Sequence, residues 1–102
     1  MRIIKESTVK EAAKVYPRAA AALHNWIKIV RVAAWSNMVE MRKTYPQVDI
    51  VIVKSGRPVF VFNICGNDFR LIAAVHFNTG SVFFLRFLTH ANYSKNNWKN
   101  EL

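Results

Sequence analysis

The sequence predicts a single α+β domain, with helices packed on one face of a small antiparallel sheet. Three observations carry that expectation. Apolar residues recur at helical spacing over residues 9–33, three β-rich runs follow one another over residues 59–89, and one side of those runs is wholly apolar. A chain of 102 residues suits one domain, and its 52% hydrophobic content is enough to fill a core.

Ile3-Ile4 can open the chain as a short strand. Thr8 and Glu11 have the spacing of a capping box, and Val9, Ala12, Ala13 and Tyr16 then repeat at helical spacing, which predicts a first helix of about two turns. Pro17 suits the first position of a second helix, where its missing N–H is not needed. In that helix Leu23, Trp26, Ile27, Val30 and Ala33 form an apolar stripe for the core. His24, Lys28 and Arg31 form a basic stripe that reads as a solvated face. Asn37 and Glu40 mark another helix start. That short helix must end near Pro46, because the residue before a proline is pushed out of the helical region. Val48-Asp49 then reads as a turn, residues 50–53 as an extended apolar run, and Lys54-Ser55-Gly56-Arg57 as a basic loop.

Residues 59–64, 69–77 and 81–89 are the three strands, rich in aromatic and β-branched side chains. Asn78-Thr79-Gly80 suits a three-residue hairpin loop with Gly80 in the left-handed position. Phe77 then faces Ser81, Ile72 faces Arg86 and Arg70 faces Leu88. In that register Arg70, Ile72, Ala74, His76, Val82, Phe84 and Arg86 share one side. Leu71, Ala73, Val75, Phe77, Phe83, Leu85 and Phe87 share the other, apolar side. A loop shorter by one residue would send the two arginines to opposite faces and bury one without a partner. The loop Cys65-Gly66-Asn67-Asp68 puts Asn63 opposite Arg70, so Phe60, Phe62 and Ile64 join the core side and Val59, Val61 and Asn63 the arginine side. Asn63, Arg70 and Arg86 would then share an open sheet face, reached by His90 and Tyr93 from the C-terminal end. Residues 94–100 lose periodicity and are expected to fray. Trp98 either anchors this tail or meets a partner protein, and both readings stay open.

Fifteen Lys and Arg oppose six Asp and Glu, a net charge of +9, which favours nucleic acid or another acidic partner. Cys65 is alone, which excludes a disulfide framework and a multi-cysteine metal site. The three histidines show no metal-ligand spacing, and no cofactor is expected. His24, Asn25, Lys28 and Arg31 interrupt the longest helical apolar stretch and argue against a membrane span. Met1 leads into charged residues rather than a signal-like run, so a cytoplasmic protein is expected.

These residues suit work on a phosphate backbone. A metal-free ribonuclease can let the 2′-hydroxyl attack the adjacent phosphate; it must remove one proton, supply another and stabilise developing negative charge. Arg70 and Arg86 suit the last task, since a guanidinium fork binds two phosphate oxygens and stays charged. His90 is the natural proton-transfer group near neutral pH, although it can equally cap a strand end. Tyr93 can donate a proton, stack on a base or simply pack. Lys54, Arg57 and Lys95 can hold the backbone. Asn63 and Asn67 can contact RNA or satisfy turn amides.

At Phe62-Asn63-Ile64-x-Gly66-Asn67-x-x-Arg70-Leu71, with Arg86-Phe87-x-Thr89-His90-x-x-Tyr93, the chain resembles the HigB family of bacterial toxins, within the wider RelE-like superfamily. The Arg-Ile-Ile start and a Tyr-Pro after each of two helices extend the likeness over nearly the whole chain. Cys65 and Asp68 inside the loop, and Asn92 before Tyr93, depart from the pattern. The resemblance implies a RelE-like α+β fold with a twisted sheet and a ribosome-dependent endoribonuclease that cuts messenger RNA. It implies a HigA-like antitoxin partner with a helix-turn-helix domain, and contact with operator DNA only through that antitoxin. The rival readings from the residues alone are a non-catalytic basic RNA-binding module and a small protein whose charge pairs with an acidic partner.

Overall fold

The computed structural model describes all residues, Met1–Leu102. The chain runs β1 (Arg2–Ile4), α1 (Glu6–Val15), a 3-10 turn (Pro17–Ala19), α2 (Ala20–Val32), α3 (Met38–Thr44), β2 (Asp49–Ile52), β3 (Pro58–Ile64), β4 (Phe69–His76), β5 (Ser81–Thr89), α4 (His90–Ser94) and α5 (Trp98–Glu101). The five strands form one sheet in the order β1-β5-β4-β3-β2. Only β1 against β5 is parallel, so the sheet is mixed rather than purely antiparallel. The fold is α+β, as the periodicities predict.

Local signals account for most element boundaries. Asn37 caps α3, its side chain accepting from the Glu40 N–H at 3.0 Å. Glu40 reaches back to the Ser36 N–H, completing a reciprocal cap. Pro17 opens the 3-10 turn that leads into α2. The expected capping role of Thr8 is corrected: α1 begins at Glu6, behind a left-handed Lys5 that makes no side-chain cap. The extended run after Val48 is a true edge strand, β2, antiparallel to β3, and Asp49 is its first residue rather than part of a turn.

Helices α1 and α2 cover one sheet face. Leu23, Trp26, Ile27 and Val30 of α2 meet Phe60, Phe62 and Ile64 of β3, Phe69, Leu71 and Ala73 of β4, and Val82 and Phe84 of β5 in a core of 18 buried residues. Phe62 stands edge-on to Trp26 at 5.6 Å and to Tyr45 at 5.2 Å between ring centres, a favoured aromatic geometry. Burial pushes the Tyr45 phenol up to about 12. No helix is long and apolar enough to cross a membrane.

The register of the last hairpin departs from expectation in an instructive way. From Phe69 to Ile72 the pairing is as predicted, with Arg70 opposite Leu88 and Ile72 opposite Arg86. Beyond Ile72 it shifts by one residue, with Ala73 opposite Phe84 and His76 opposite Ser81. The loop therefore has four residues, Phe77 to Gly80, and a β-bulge at Leu85 absorbs the extra one. Val82 and Phe84 thus lie in the helix-covered core, not beside the arginines. Phe83 lies on the opposite side against His76, and Leu85 joins the arginine side. Gly80 takes the expected left-handed conformation, φ +65.

The arginine side is not an open face, and the tail does not fray. Trp98 of α5 is 3% exposed and packs on Val59, Val61 and Ile72 together with Val53, with Tyr93, Leu85 and Leu88 around them. The Lys54 N–H donates to the Lys99 carbonyl at 3.0 Å, which ties this segment to the β2–β3 turn. Helices thus flank both faces of the sheet, one heavily and one thinly. The tail lacks periodicity because a single indole anchors it, too few residues for a pattern to show.

Candidate active site

Strand pairing places the first elements of the site. Asn63 of β3 lies directly opposite Arg70 of β4. Arg70 and Arg86 share one side because β4 and β5 keep their register between Phe69 and Ile72. The bulge at Leu85 makes this possible in spite of the even loop. Without it, a four-residue connection would turn Arg86 into the apolar core.

Both guanidiniums are half-buried and held. Arg70 Nη1 donates to the carbonyls of Asn67 at 3.1 Å and Phe69 at 3.0 Å, and Nη2 reaches Asn67 Oδ1 at 3.4 Å. Its guanidinium carbon lies 5.5 Å from the centre of the Tyr93 ring, in cation–π range. Arg86 Nη1 donates to the Leu85 carbonyl at 2.8 Å, and its Nε lies 3.5 Å from Glu101 Oε2. Side chains fixed in this way present charge with little further ordering.

Helix α4 brings His90 and Tyr93 to the end of β5. Thr89 caps it, accepting from the Asn92 N–H at 3.2 Å. The His90 N–H donates to the Asp68 carbonyl at 2.9 Å and so joins α4 to the β3–β4 loop. The His90 side chain is exposed. Tyr93 is half-buried and stacks on Trp98, with ring centres 5.4 Å apart and planes inclined by 19°. Burial raises the Tyr93 phenol above its ordinary value; the Asp49 charge adds to the rise, and Arg70 opposes it. Tyr93 therefore keeps its phenolic proton at neutral pH.

The remaining predicted residues divide. Lys54 and Arg57 are exposed on the β2–β3 turn, and Lys95 is exposed at the end of α4. Lys95 lines a groove of about 240 Å3 with Leu88, Asn92, Asn97, Trp98 and Glu101. Asn67 is engaged by Arg70. Asn63 Nδ2 donates to Gln47 Oε1 at 3.2 Å, and both amides line a second groove with Tyr45, Pro46 and Val48. The structure thus brings Arg70 against Tyr93, with Asn67 held by Arg70, Arg86 on the same side of the sheet opposite Ile72, and His90 exposed at the start of α4. Lys54 and Arg57 stand on the flanking turn.

Three residues escaped the sequence reading. Asp49 acts on Tyr93 through its charge; continuing the β2–β3 pairing back from the Gly56 turn would have placed it opposite Val61. Glu101 pairs with Arg86, and no local pattern signals it. Ser94 hydrogen-bonds to His90, an i, i+4 spacing that becomes readable only once α4 is known to be helical.

Comparison with known proteins shows which family the chain resembles. Residues 19–96 match the family described as HigB toxin, the RelE-like toxic component of a toxin-antitoxin system. The chain is 32% identical over 95 residues to the mRNA interferase HigB of Escherichia coli O6:H1, covering 93% of this chain and 90% of that protein. It is 25% identical over 93 residues to the mRNA interferase toxin HigB of Escherichia coli K12, covering 91% and 88%.

Proposed function

The chain belongs to the HigB family of RelE-like toxins, and from that premise we propose that it is an mRNA interferase that cuts messenger RNA on the ribosome. The observation that supports this reading best is the pair of held guanidiniums, Arg70 and Arg86, on one sheet side beside the protonated Tyr93 and the exposed His90. Cleavage needs no metal. The 2′-oxygen loses its proton and bonds to phosphorus, the P–O5′ bond breaks, and the departing oxygen takes a proton. The products are a 2′,3′-cyclic phosphate and a free 5′-hydroxyl. Arg70 and Arg86 neutralise the charge that grows on the phosphoryl oxygens. His90 and Tyr93 carry the protons.

Lys54, Arg57 and Lys95 hold the RNA or ribosomal backbone, and Asn63 offers its amide to the message. Asn67 acts through Arg70. With so few acid–base groups, the ribosome supplies substrate orientation, which is worth several kcal/mol of barrier. A HigA-like antitoxin with a helix-turn-helix domain neutralises the toxin in the cytoplasm and alone carries contact with operator DNA. The test compares purified protein on translated and on naked message. Translated message should be cut far faster, leaving cyclic-phosphate ends. Equal cutting of both sinks ribosome dependence, and binding without cutting makes this a basic RNA-binding module.

A further inference from the structure

The proton carriers have no assigned order in that reaction, and the hydrogen bonds around His90 supply one. Ser94 Oγ lies 2.9 Å from the His90 carbonyl and 3.4 Å from His90 Nδ1. A hydroxyl has one proton to give and two lone pairs to receive with. A carbonyl can only accept, so the single Ser94 proton goes to the His90 carbonyl, one helical turn back. Towards the imidazole, Ser94 can then only accept. The proton between them must belong to the ring, on Nδ1. In the neutral imidazole the other nitrogen, Nε2, is left bare, with no partner elsewhere in the fold.

We infer that Ser94 is a positioning residue that holds His90 in its Nδ1–H tautomer, so that Nε2 is the general base that takes the 2′-hydroxyl proton. This rests on the ribonuclease reading and deepens it by dividing the roles. The 2′-O–H bond breaks towards Nε2, the 2′-oxygen bonds to phosphorus, and the P–O5′ bond breaks. The departing oxygen takes its proton from the Tyr93 hydroxyl, which is then reprotonated by solvent as His90 gives up the proton it received. Backbone geometry fixes where the ring sits. The His90 N–H is fixed to the Asp68 carbonyl at 2.9 Å, and Thr89 caps the helix through the Asn92 N–H. The ring therefore pivots on an anchored Cα, and Ser94 is its one side-chain partner.

The test uses the full chain labelled with 15N-histidine and long-range 1H–15N spectra, recorded where the imidazoles are neutral. His90 is assigned by the signal lost in His90→Gln. The native chain should show the Nδ1–H pattern, Ser94→Ala should move towards Nε2–H, and Ser94→Thr should restore the native pattern. In cleavage of translated message, Ser94→Ala should lower kcat on the order of 10-fold, a part of the roughly 10²–10⁴-fold that a general base contributes. KM should stay level, Ser94→Thr should recover the rate, and thermal melting should be unchanged. An Nε2–H pattern in the native chain, or one unmoved by Ser94→Ala, overturns the inference even if cleavage is robust. A native chain that cuts no message overturns the ribonuclease reading, and the role of Nε2 with it.

Discussion

The two faces of the sheet obey different physical rules. The helix-covered face is a core of 18 buried residues made of interdigitated aromatic and aliphatic side chains. The arginine face has 5 buried residues, Val53, Val59, Val61, Ile72 and, from α5, Trp98, with Tyr93 of α4 beside them. The first face is built to stay shut. Its one stranded polar atom is the Trp26 Nε1–H, which is buried without a partner. The second is an apolar pad edged with groups that a core does not tolerate unpaired. Arg70 and Arg86 stand next to it, tied to carbonyls and to Glu101. Their alkyl stems can lie on the pad while their charged ends stay near water. The larger buried cluster lies on one face and both arginines lie on the other, and the same strands serve both by alternation.

The sharpest way to break this contrast is to open a cavity on each face. Phe62→Ala, at a 1% exposed site between Trp26 and Tyr45, should cost about 3–5 kcal/mol and lower the melting temperature steeply. Trp98→Ala removes a larger side chain, yet its neighbourhood is thin and free to relax, so it should cost less than Phe62→Ala. Its cleavage rate should fall, because Tyr93 loses its stacking partner. Denaturant unfolding of both variants checks this. Equal losses would mean that the arginine face is a structural core in its own right.

A smaller free-energy effect separates function from folding. Arg70→Ala and Arg86→Ala should each lower cleavage on the order of 10²-fold, since each removes a preorganised partner for developing charge. Melting should move little, because half-exposed pairs contribute under about 1 kcal/mol. Lysine at either position should restore only part of the rate, because a point charge lacks the guanidinium fork. Melting and translated-message cleavage, measured on the same preparations, decide it. Cleavage lost only in proportion to unfolding would make the arginine structural.

The smallest effect lies on the helical side. The Arg31 hydrogen bond holds the Glu6 carboxyl below its ordinary range; slight burial opposes this, and the charges of Arg31 and Lys10 reinforce it. A carboxyl whose folded pKa is depressed stabilises the fold above its unfolded pKa, and that contribution disappears as pH falls through the folded value. Glu6→Gln should therefore melt slightly lower than the native chain at pH 7 and identically in acid below that window. A difference that persists in acid would assign the effect to packing rather than charge.

Contacts between near neighbours in the chain could be read from the residues. Helical spacing picked out Leu23, Trp26, Ile27, Val30 and Ala33 as the buried stripe; the structure buries the first four, and Ala33, partly buried, caps the end of α2. The Asn37–Glu40 spacing marked the start of α3 because a cap is a contact across three residues. The loop after Ile64 set Asn63 against Arg70 because strand pairing propagates from its turn. That both arginines face one way was also legible, from the cost of burying an unpaired charge. The means was not. The chain reaches that arrangement through a bulge at Leu85, not through the length of its loop. No local signal encodes this, since the bulge goes with the packing of Val82 and Phe84 against Leu23, Trp26, Ile27 and Val30, more than fifty residues earlier in the chain. The tertiary structure likewise decided the docking of Trp98, the parallel pairing of β1 with β5, and the meeting of Glu101 with Arg86. Each of these depends on surfaces that exist only after the sheet has formed, and no local period or spacing along the chain encodes them.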